Sequence, residues 1–430
     1  MRVEGAAVKE QLEKRKKSAA AQWSLQDEIV LIGAGQPLPI PRRGEQTYPF
    51  RAHSEYFYLT DRDRPGCVLA FDPKDGWTDF VPQVTQDEAV WVGSVPDEGV
   101  SLAELVPWLK KRKGRRIACL GSAIPGIRSD RFLETKLHEK LTEVRRPKDS
   151  VELDRMRKAE RATRAGFEAL PPLLKPGTTE RAAQIEIEAA FYRNGADDTG
   201  YDTIIAGGPN SAVFHFSPTP RAFQKHELVL VDAGAEYKGY VCDVTRTYPV
   251  SGRFTQEQAD IYSIVLAAEK AAVQRCRPQV EYKDIHLKAS RDIAQGLIDF
   301  GLLKGNVDSL VEQGTQALFF PHGIRHMVGL DVRDAGGYAP KRKPSEALGL
   351  RYLRIDLPLK PGYVVTIEPG IYFIPALLED AGYRQRFHDA VNWARVDKMM
   401  GFGGIRIEDN VLVTKDSFEV LTADIPKYSA

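Results

Sequence analysis

Two aspartates sit in strand-like surroundings where an unpaired charge is costly, and they restrict the fold more than any other feature. Leu228-Val-Leu-Val-Asp232 is an apolar run ending in a carboxylate, and Tyr240-Val-Cys-Asp243-Val-Thr-Arg-Thr247 carries a second one. Between them, Glu236-Tyr237-Lys238-Gly239 has the polar, glycine-ended character of a tight turn, so the two runs are expected to pair as a hairpin. A turn centred between Tyr237 and Lys238 sets Asp232 directly opposite Asp243, with Cβ atoms about 4.5–5.5 Å apart. Like charges held so close repel, and burial without a partner raises the cost; bound cations reverse it. A bulge would shift the register by one residue and change that geometry. The bland alternative is two unrelated aspartates beside a loop.

Three later segments carry the same kind of signal. Pro321-His322-Gly323-Ile324-Arg325-His326-Met327 supplies two histidines four apart, the spacing of a zincin helix, but Gly323 and the missing glutamate argue against that motif. Imidazole is a common ligand for borderline metals. Val364-Val-Thr-Ile-Glu368-Pro-Gly370 ends an apolar strand with a carboxylate at a turn, which aims the side chain into a cleft. In Gly404-Ile-Arg406-Ile-Glu408-Asp-Asn410 the alternation puts Arg406 and Glu408 on one face, where a simple ion pair is the competing explanation. His53, His138, His226, His286 and His388 read as ordinary structural histidines. Asp232, Asp243, His326, Glu368 and Glu408 together make the ligand set that a pair of hard divalent ions would ask for, and a two-metal hydrolase explains all five at once.

Composition narrows the alternatives. The 60 basic and 59 acidic residues leave a net charge of +1, which excludes the basic excess of a nucleic-acid or anionic-membrane binder. The run Glu13-Lys-Arg-Lys-Lys17 reads as a solvated helix face. Four cysteines (Cys67, Cys119, Cys242, Cys276) show no metal spacing and no disulfide framework. The N-terminal stretch has no apolar core of a secretory signal, and no run approaches the roughly 20 apolar residues needed to span a bilayer. A cytoplasmic protein is expected.

At 430 residues, and about 150 residues per domain, two or three domains are expected. Residues 1–147 read as α/β, with strands at Ile29–Ile32, Cys67–Phe71 and Arg116–Leu120 and a helix over Leu102–Lys113 containing Pro107. The charged, proline-containing link around Val144–Ser150 marks the boundary. Residues 148–430 read as α+β. Helices are predicted from Val151 to about Leu170 and from Thr179 to about Tyr192. A third starts at Thr255, with Gln258 completing a capping box. Strands are predicted at Ile204–Ile205, Leu228–Asp232, Tyr240–Tyr248, Tyr363–Phe373 and Gly404–Val413.

The stretches VDAGAEYKGYVCDVTRTYPVSGRFT, PHGIRHMVGLDVRD, LKPGYVVTIEPGIYFI and GFGGIRIEDNVLVT together resemble the pita-bread metallopeptidases, in the branch of Xaa-Pro dipeptidase (prolidase) and aminopeptidase P. The resemblance spans roughly residues 145 to 425. IEPGIYFIPALL is more like prolidase, whereas EQTYPFRAHSEYFYLTD resembles the N-terminal domain of the creatinase/prolidase type and leans towards aminopeptidase P.

It implies two divalent ions per subunit, manganese first and cobalt or zinc as alternatives, with Asp232 on one ion, Asp243 and Glu408 bridging, and His326 and Glu368 on the other. Glu368 also handles the proton of the attacking water. His322 and His215 contact substrate or the tetrahedral intermediate, Arg354 grips a dipeptide carboxylate, and Arg406 supports the centre from behind.

The implied substrates are short proline-containing peptides, dipeptides before longer ones, and the implied assembly is a homodimer. Two positions depart from the family pattern. Arg325 stands where a small residue is usual, and Arg333 where a histidine is; the guanidiniums could hold a substrate carboxylate, favouring short peptides, or equally weaken catalysis or alter the preferred substrate. A non-catalytic pita-bread binding protein is the reading from another class.

Overall fold

The computed structural model describes residues 2–93 and 99–428, and the chain divides into two units, residues 1–145 and 146–430. In the first, the buried apolar runs Ile29–Gly33 (β1) and Val68–Asp72 (β2) join Gly76–Val81 (β3), Val100–Ser101 (β4) and Ile117–Gly121 (β5) in a mixed sheet of order β4-β3-β2-β1-β5. Strand β1 runs antiparallel to β2 and parallel to β5. The expected helix over Leu102–Lys113 is instead a 3-10 turn, Leu102–Glu104, followed by Leu105–Lys110. Pro107 sits in the first turn of the latter, where its missing N–H leaves no bond unmade.

In the second unit, the helix Ser150–Ala169 starts at a capping box between Asp149 and Glu152, and Gln256–Val273 at one between Thr255 and Gln258. Ser150–Ala169 packs closely on Glu180–Arg193: a Cβ on Gly166 would lie 2.2 Å from the Phe191 ring. These two helices cover one face of the strands Ile204–Gly207 (β7), Leu228–Ala233 (β8) and Val244–Pro249 (β11), burying Ile205, Val229, Val231, Ala233 and Val244. The sheet order is β11-β8-β7, and Asp198–Thr199 (β6), Ala235–Tyr237 (β9) and Tyr240–Val241 (β10) form a neighbouring sheet, β10-β9-β6.

After the short pair Gly337–Tyr338 (β12) and Ile355–Asp356 (β13), the last strands are Val364–Ile367 (β14), Gly370–Tyr372 (β15), Gly404–Arg406 (β16), Asp409–Val413 (β17) and Phe418–Val420 (β18). Ile371, Ile405 and Ile407 pack with Ile261 and Val265, and Val365 and Ile367 with Ile285 and Ala289. Alternation along a strand therefore sends Thr366, Glu368, Tyr372, Arg406 and Glu408 to the opposite face.

The hairpin forms, but not in the expected register. Strands β8 and β11 pair Asp232 with Thr245, and β9 and β10 pair Tyr237 with Tyr240. The turn is Lys238-Gly239, with φ of 51° and 81°. A two-residue turn of this kind needs positive φ at both central positions, which suits Gly239 and would have strained an aromatic Tyr237. Asp232 and Asp243 are thus diagonal neighbours, not directly opposed. The displacement is by two residues, so both still point to one face.

Candidate metal centre

Each acidic side chain of the centre sits at or next to a break in a ladder. Strands β14 and β17 share one register with β15 and β16: Val365 pairs with Val411, and Gly370 with Arg406. Between the two ladders, Pro369 has no N–H to donate, pairing stops, and Glu368 and Glu408 stand in the gap. Glu408 donates its N–H to the Thr245 carbonyl on β11 at 3.1 Å instead. Asp243 lies between β10 and β11; its N–H donates to Asn410 Oδ1 (3.0 Å), and Asn410 Nδ2 donates back to its carbonyl (2.7 Å).

The histidine segment is extended, not helical. Glu368 N–H donates to the Ile324 carbonyl and Thr366 N–H to that of His326, so residues 324–328 lie antiparallel to β14 and His326 faces Glu368.

Oxygens of Asp232, Asp243 and Glu408 converge within 4.8 Å of one another, all buried. His326 Nε2 lies 3.6 Å from Asp243 Oδ2 and 3.9 Å from Glu368 Oε1. Its Nδ1 is 3.0 Å from the Met327 carbonyl, which can only accept; the proton is therefore on Nδ1, and the Nε2 lone pair faces the carboxylates. Burial, with Arg325 adding to it, pushes the His326 pKa down to about 3 and keeps the ring neutral. Burial and then the neighbouring carboxylates raise Asp243 and Glu408 well above the usual carboxylate range.

Hydrogen bonds satisfy only part of this cluster. Tyr201 donates to Asp232 Oδ1 (2.8 Å) and Arg406 to Oδ2 (2.5 Å); Thr245 donates to Glu408 Oε2 (2.7 Å). Thr366 donates to Glu368 Oε1 (3.2 Å) and Arg325 to Oε2 (3.1 Å). Glu408 Oε1 is buried with no hydrogen-bond partner among the described residues. Four carboxylates face two guanidiniums, one acceptor is orphaned and one ring nitrogen presents a lone pair. This donor set fits hard divalent cations.

The remaining expected residues are placed unevenly around a cavity of about 300 Å3 lined by the five candidate ligands together with Tyr201, Phe214, His215, Arg325 and Arg333. His215 and Arg333 are both exposed, and Arg333 lies 3.3 Å from His215 Nε2. Arg333 has no carboxylate within ion-pair reach among the described residues. Partial desolvation against the cavity wall, then repulsion from Arg325 and Arg354, lowers its pKa.

His322 and Arg354, expected to touch substrate, are not part of the lining. His322 is buried among Phe214, Phe320 and Tyr372, where its ring is kept neutral. Its Nδ1 is 2.8 Å from the Gly323 carbonyl and its Nε2 is 2.9 Å from the Tyr372 hydroxyl, which also accepts from Arg406 Nη1 at 2.9 Å. It thus connects through Tyr372 and Arg406 to Asp232. Arg354 is exposed outside the cavity lining. Arg406 pairs with Asp232, not with Glu408 as the simple ion-pair reading had it.

Tyr201, Thr245, Thr366, Tyr372 and Asn410 were not foreseen. Thr245 and Thr366 each lie two residues from a candidate ligand on the same strand face, a spacing that could have flagged them.

A buried, carboxylate-rich pocket of this kind marks a divalent-metal site. Residues 154–415 match metallopeptidase family M24, and residues 12–103 match the aminopeptidase P N-terminal domain. The chain belongs to metallopeptidase family M24, with the N-terminal and pita-bread architecture expected from the sequence. It is 34% identical over 402 residues to a probable Xaa-Pro aminopeptidase of Botryotinia fuckeliana, covering 88% of this chain and 86% of that protein. It is 31% identical over 402 residues to the Xaa-Pro dipeptidase of Homo sapiens, covering 87% and 82%. Among solved structures it is similar to aminopeptidase PepP of Pseudomonas aeruginosa, with a TM-score of 0.80 at 27% identity over 98% of this chain and 96% of that one.

Proposed function

We propose that the chain is a dinuclear metallopeptidase that cleaves the bond preceding proline, with Xaa-Pro dipeptides as its first substrates. The observation that carries this reading is the convergence of Asp232, Asp243 and Glu408, with one Glu408 oxygen buried and unpartnered. Asp232 would hold one ion, Asp243 and Glu408 both, and His326 and Glu368 the other. Oxygen-rich ligation with a single imidazole favours manganese, with cobalt and zinc as alternatives. When bound, the ions polarise the scissile carbonyl and make an attacking water more acidic.

The chain's own residues do the rest. Met327 fixes the His326 tautomer, and Tyr201 and Arg406 fix Asp232. Glu368, aimed into the cavity by the break at Pro369, is the carboxylate placed to take the water's proton. An Xaa-Pro bond is a tertiary amide without N–H, so a site that works on the carbonyl gives up nothing on it. Arg333 faces the cavity with no carboxylate partner among the described residues, as a binder of a dipeptide's terminal carboxylate would, with His215 beside it. Arg333 stays charged at working pH and does not shuttle protons as a histidine would.

The match of residues 12–103 to the aminopeptidase P N-terminal domain favours a second reading, cleavage of longer peptides. Hydrolysis of Ala-Pro and Ala-Pro-Ala with manganese, cobalt or zinc separates the two. Cleavage of Ala-Pro supports the first, exclusive cleavage of Ala-Pro-Ala supports the second, and metal binding without hydrolysis of either leaves a binding protein.

A further inference from the structure

The two halves of the centre are not equally open to a cation. Arg406, which neutralises Asp232, approaches from behind: it is buried, tied also to Tyr372 and Thr245, and is not part of the cavity lining. Arg325, which neutralises Glu368, lines the cavity itself. Its backbone N–H donates to the Tyr282 hydroxyl at 2.8 Å, and that hydroxyl donates to the Thr366 carbonyl at 2.7 Å, so the arginine is held beside the strand carrying Glu368.

Four carboxylates less the two guanidiniums bonded directly to them leave two negative charges, which one divalent ion balances. The three oxygens that converge within 4.8 Å belong to Asp232, Asp243 and Glu408. The other half offers a neutral imidazole and a carboxylate already paired with a guanidinium.

We propose that Arg325 acts as a built-in cation at Glu368, so that this chain holds one metal ion firmly among Asp232, Asp243 and Glu408 and a second only weakly at His326 and Glu368. The proposal rests on the metal-centre reading above. Arg325 holds Glu368 Oε2 while Oε1 faces His326, so its charge stands beside the second site and opposes an ion there. Arg325 is a positioning residue here; it sets metal occupancy rather than touching the reacting atoms.

Equilibrium dialysis of the full chain against increasing Mn2+, with metal counted per chain and the electron paramagnetic resonance spectrum recorded at each step, tests this without an activity assay. The wild-type protein should retain one ion with a mononuclear spectrum. The second should enter at a concentration at least about tenfold higher, the scale on which outer partners tune metal affinity. Arg325→Gln and Arg325→Ser should bring the two affinities together and yield a coupled two-ion spectrum at low metal; Arg325→Lys should keep the wild-type pattern. Two ions of equal affinity in the wild type, or a second-site affinity unmoved in both Arg325→Gln and Arg325→Ser, would overturn the proposal. Failure of every variant and of the wild type to retain any ion would instead overturn the metal reading beneath it.

Discussion

Asp243→Asn should move stability in opposite directions depending on whether metal is present. Without cations, Asp243 faces Asp232 and Glu408 across distances of at most 4.8 Å. At an effective dielectric constant of about 20, one such pair of full charges repels by about 3.5 kcal/mol. Arg406 offsets part of this, and proton uptake relieves more, so removing one charge should stabilise the metal-free protein by about 1–3 kcal/mol. For a unit of this size that is roughly 2–8 °C in Tm. The backbone bonds between Asp243 and Asn410 do not involve the substituted group and should persist. With manganese present the order should reverse. A ligand at about a hundred times its Kd stabilises the wild type by about 2.7 kcal/mol, and the variant forfeits most of that. Thermal melts in chelator and in excess Mn2+ read both signs. A variant less stable than the wild type in chelator would mean that these carboxylates do not strain the metal-free fold, and the electrostatic case for the centre would be lost.

Other outcomes follow from single contacts. Glu269 is buried beside Asp409 and Lys427, and burial first, then Asp409, pushes its pKa up to about 8 from an ordinary 4.5. The folded chain keeps this proton when the unfolded chain has released it; the stabilisation is complete below about pH 4.5 and is lost as pH rises through about 8. Glu269→Gln should flatten the decline of Tm between pH 5 and 8, and unchanged slopes would refute the assignment. Gly234→Ala puts a Cβ 1.7 Å from the Cys242 carbonyl oxygen, a backbone atom next to Asp243. It should cost about 1–3 kcal/mol in denaturant melts and weaken manganese retention. Arg333→Gln should raise KM for Ala-Pro about 10- to 100-fold, the worth of one charged hydrogen bond, and leave Ala-Pro amide nearly unchanged. Equal effects on both substrates would remove Arg333 from carboxylate binding.

Apolar runs and caps could be read along the chain because they depend on neighbours within a few residues. Thr255 and Gln258 close the box their spacing implies, and Leu228–Ala233 buries as its composition demands. The register of the hairpin could not be read so directly, since it turns on which two residues accept positive φ, and Lys238 was the unobvious one. Partners of the arginines were hidden for another reason. Arg406 alternates onto the face of Glu408, yet β16 lies where the guanidinium reaches Asp232, 174 residues away. The proximity of Arg325 to the centre was legible from its place beside His326; its pairing with Glu368 depends on the antiparallel run of residues 324–328 along β14, which no local pattern announces. His322, four residues before His326, packs among Phe214, Phe320 and Tyr372, contacts between distant parts of the chain that no local pattern announces.

Arg246 binds the Glu408 carbonyl, Asp409 Oδ1 and the carbonyls of Ile425 and Pro426. The residue that follows the proposed ligand Glu408 is thus anchored, through Arg246, to Ile425 and Pro426. During synthesis, a growing chain that has already made Asp232, Asp243, His326 and Glu368 still lacks the clasp that seats Glu408. Ion capture should therefore wait until translation has passed Pro426, and a protein stopped shortly before it should emerge with every proposed ligand but a loosened grip.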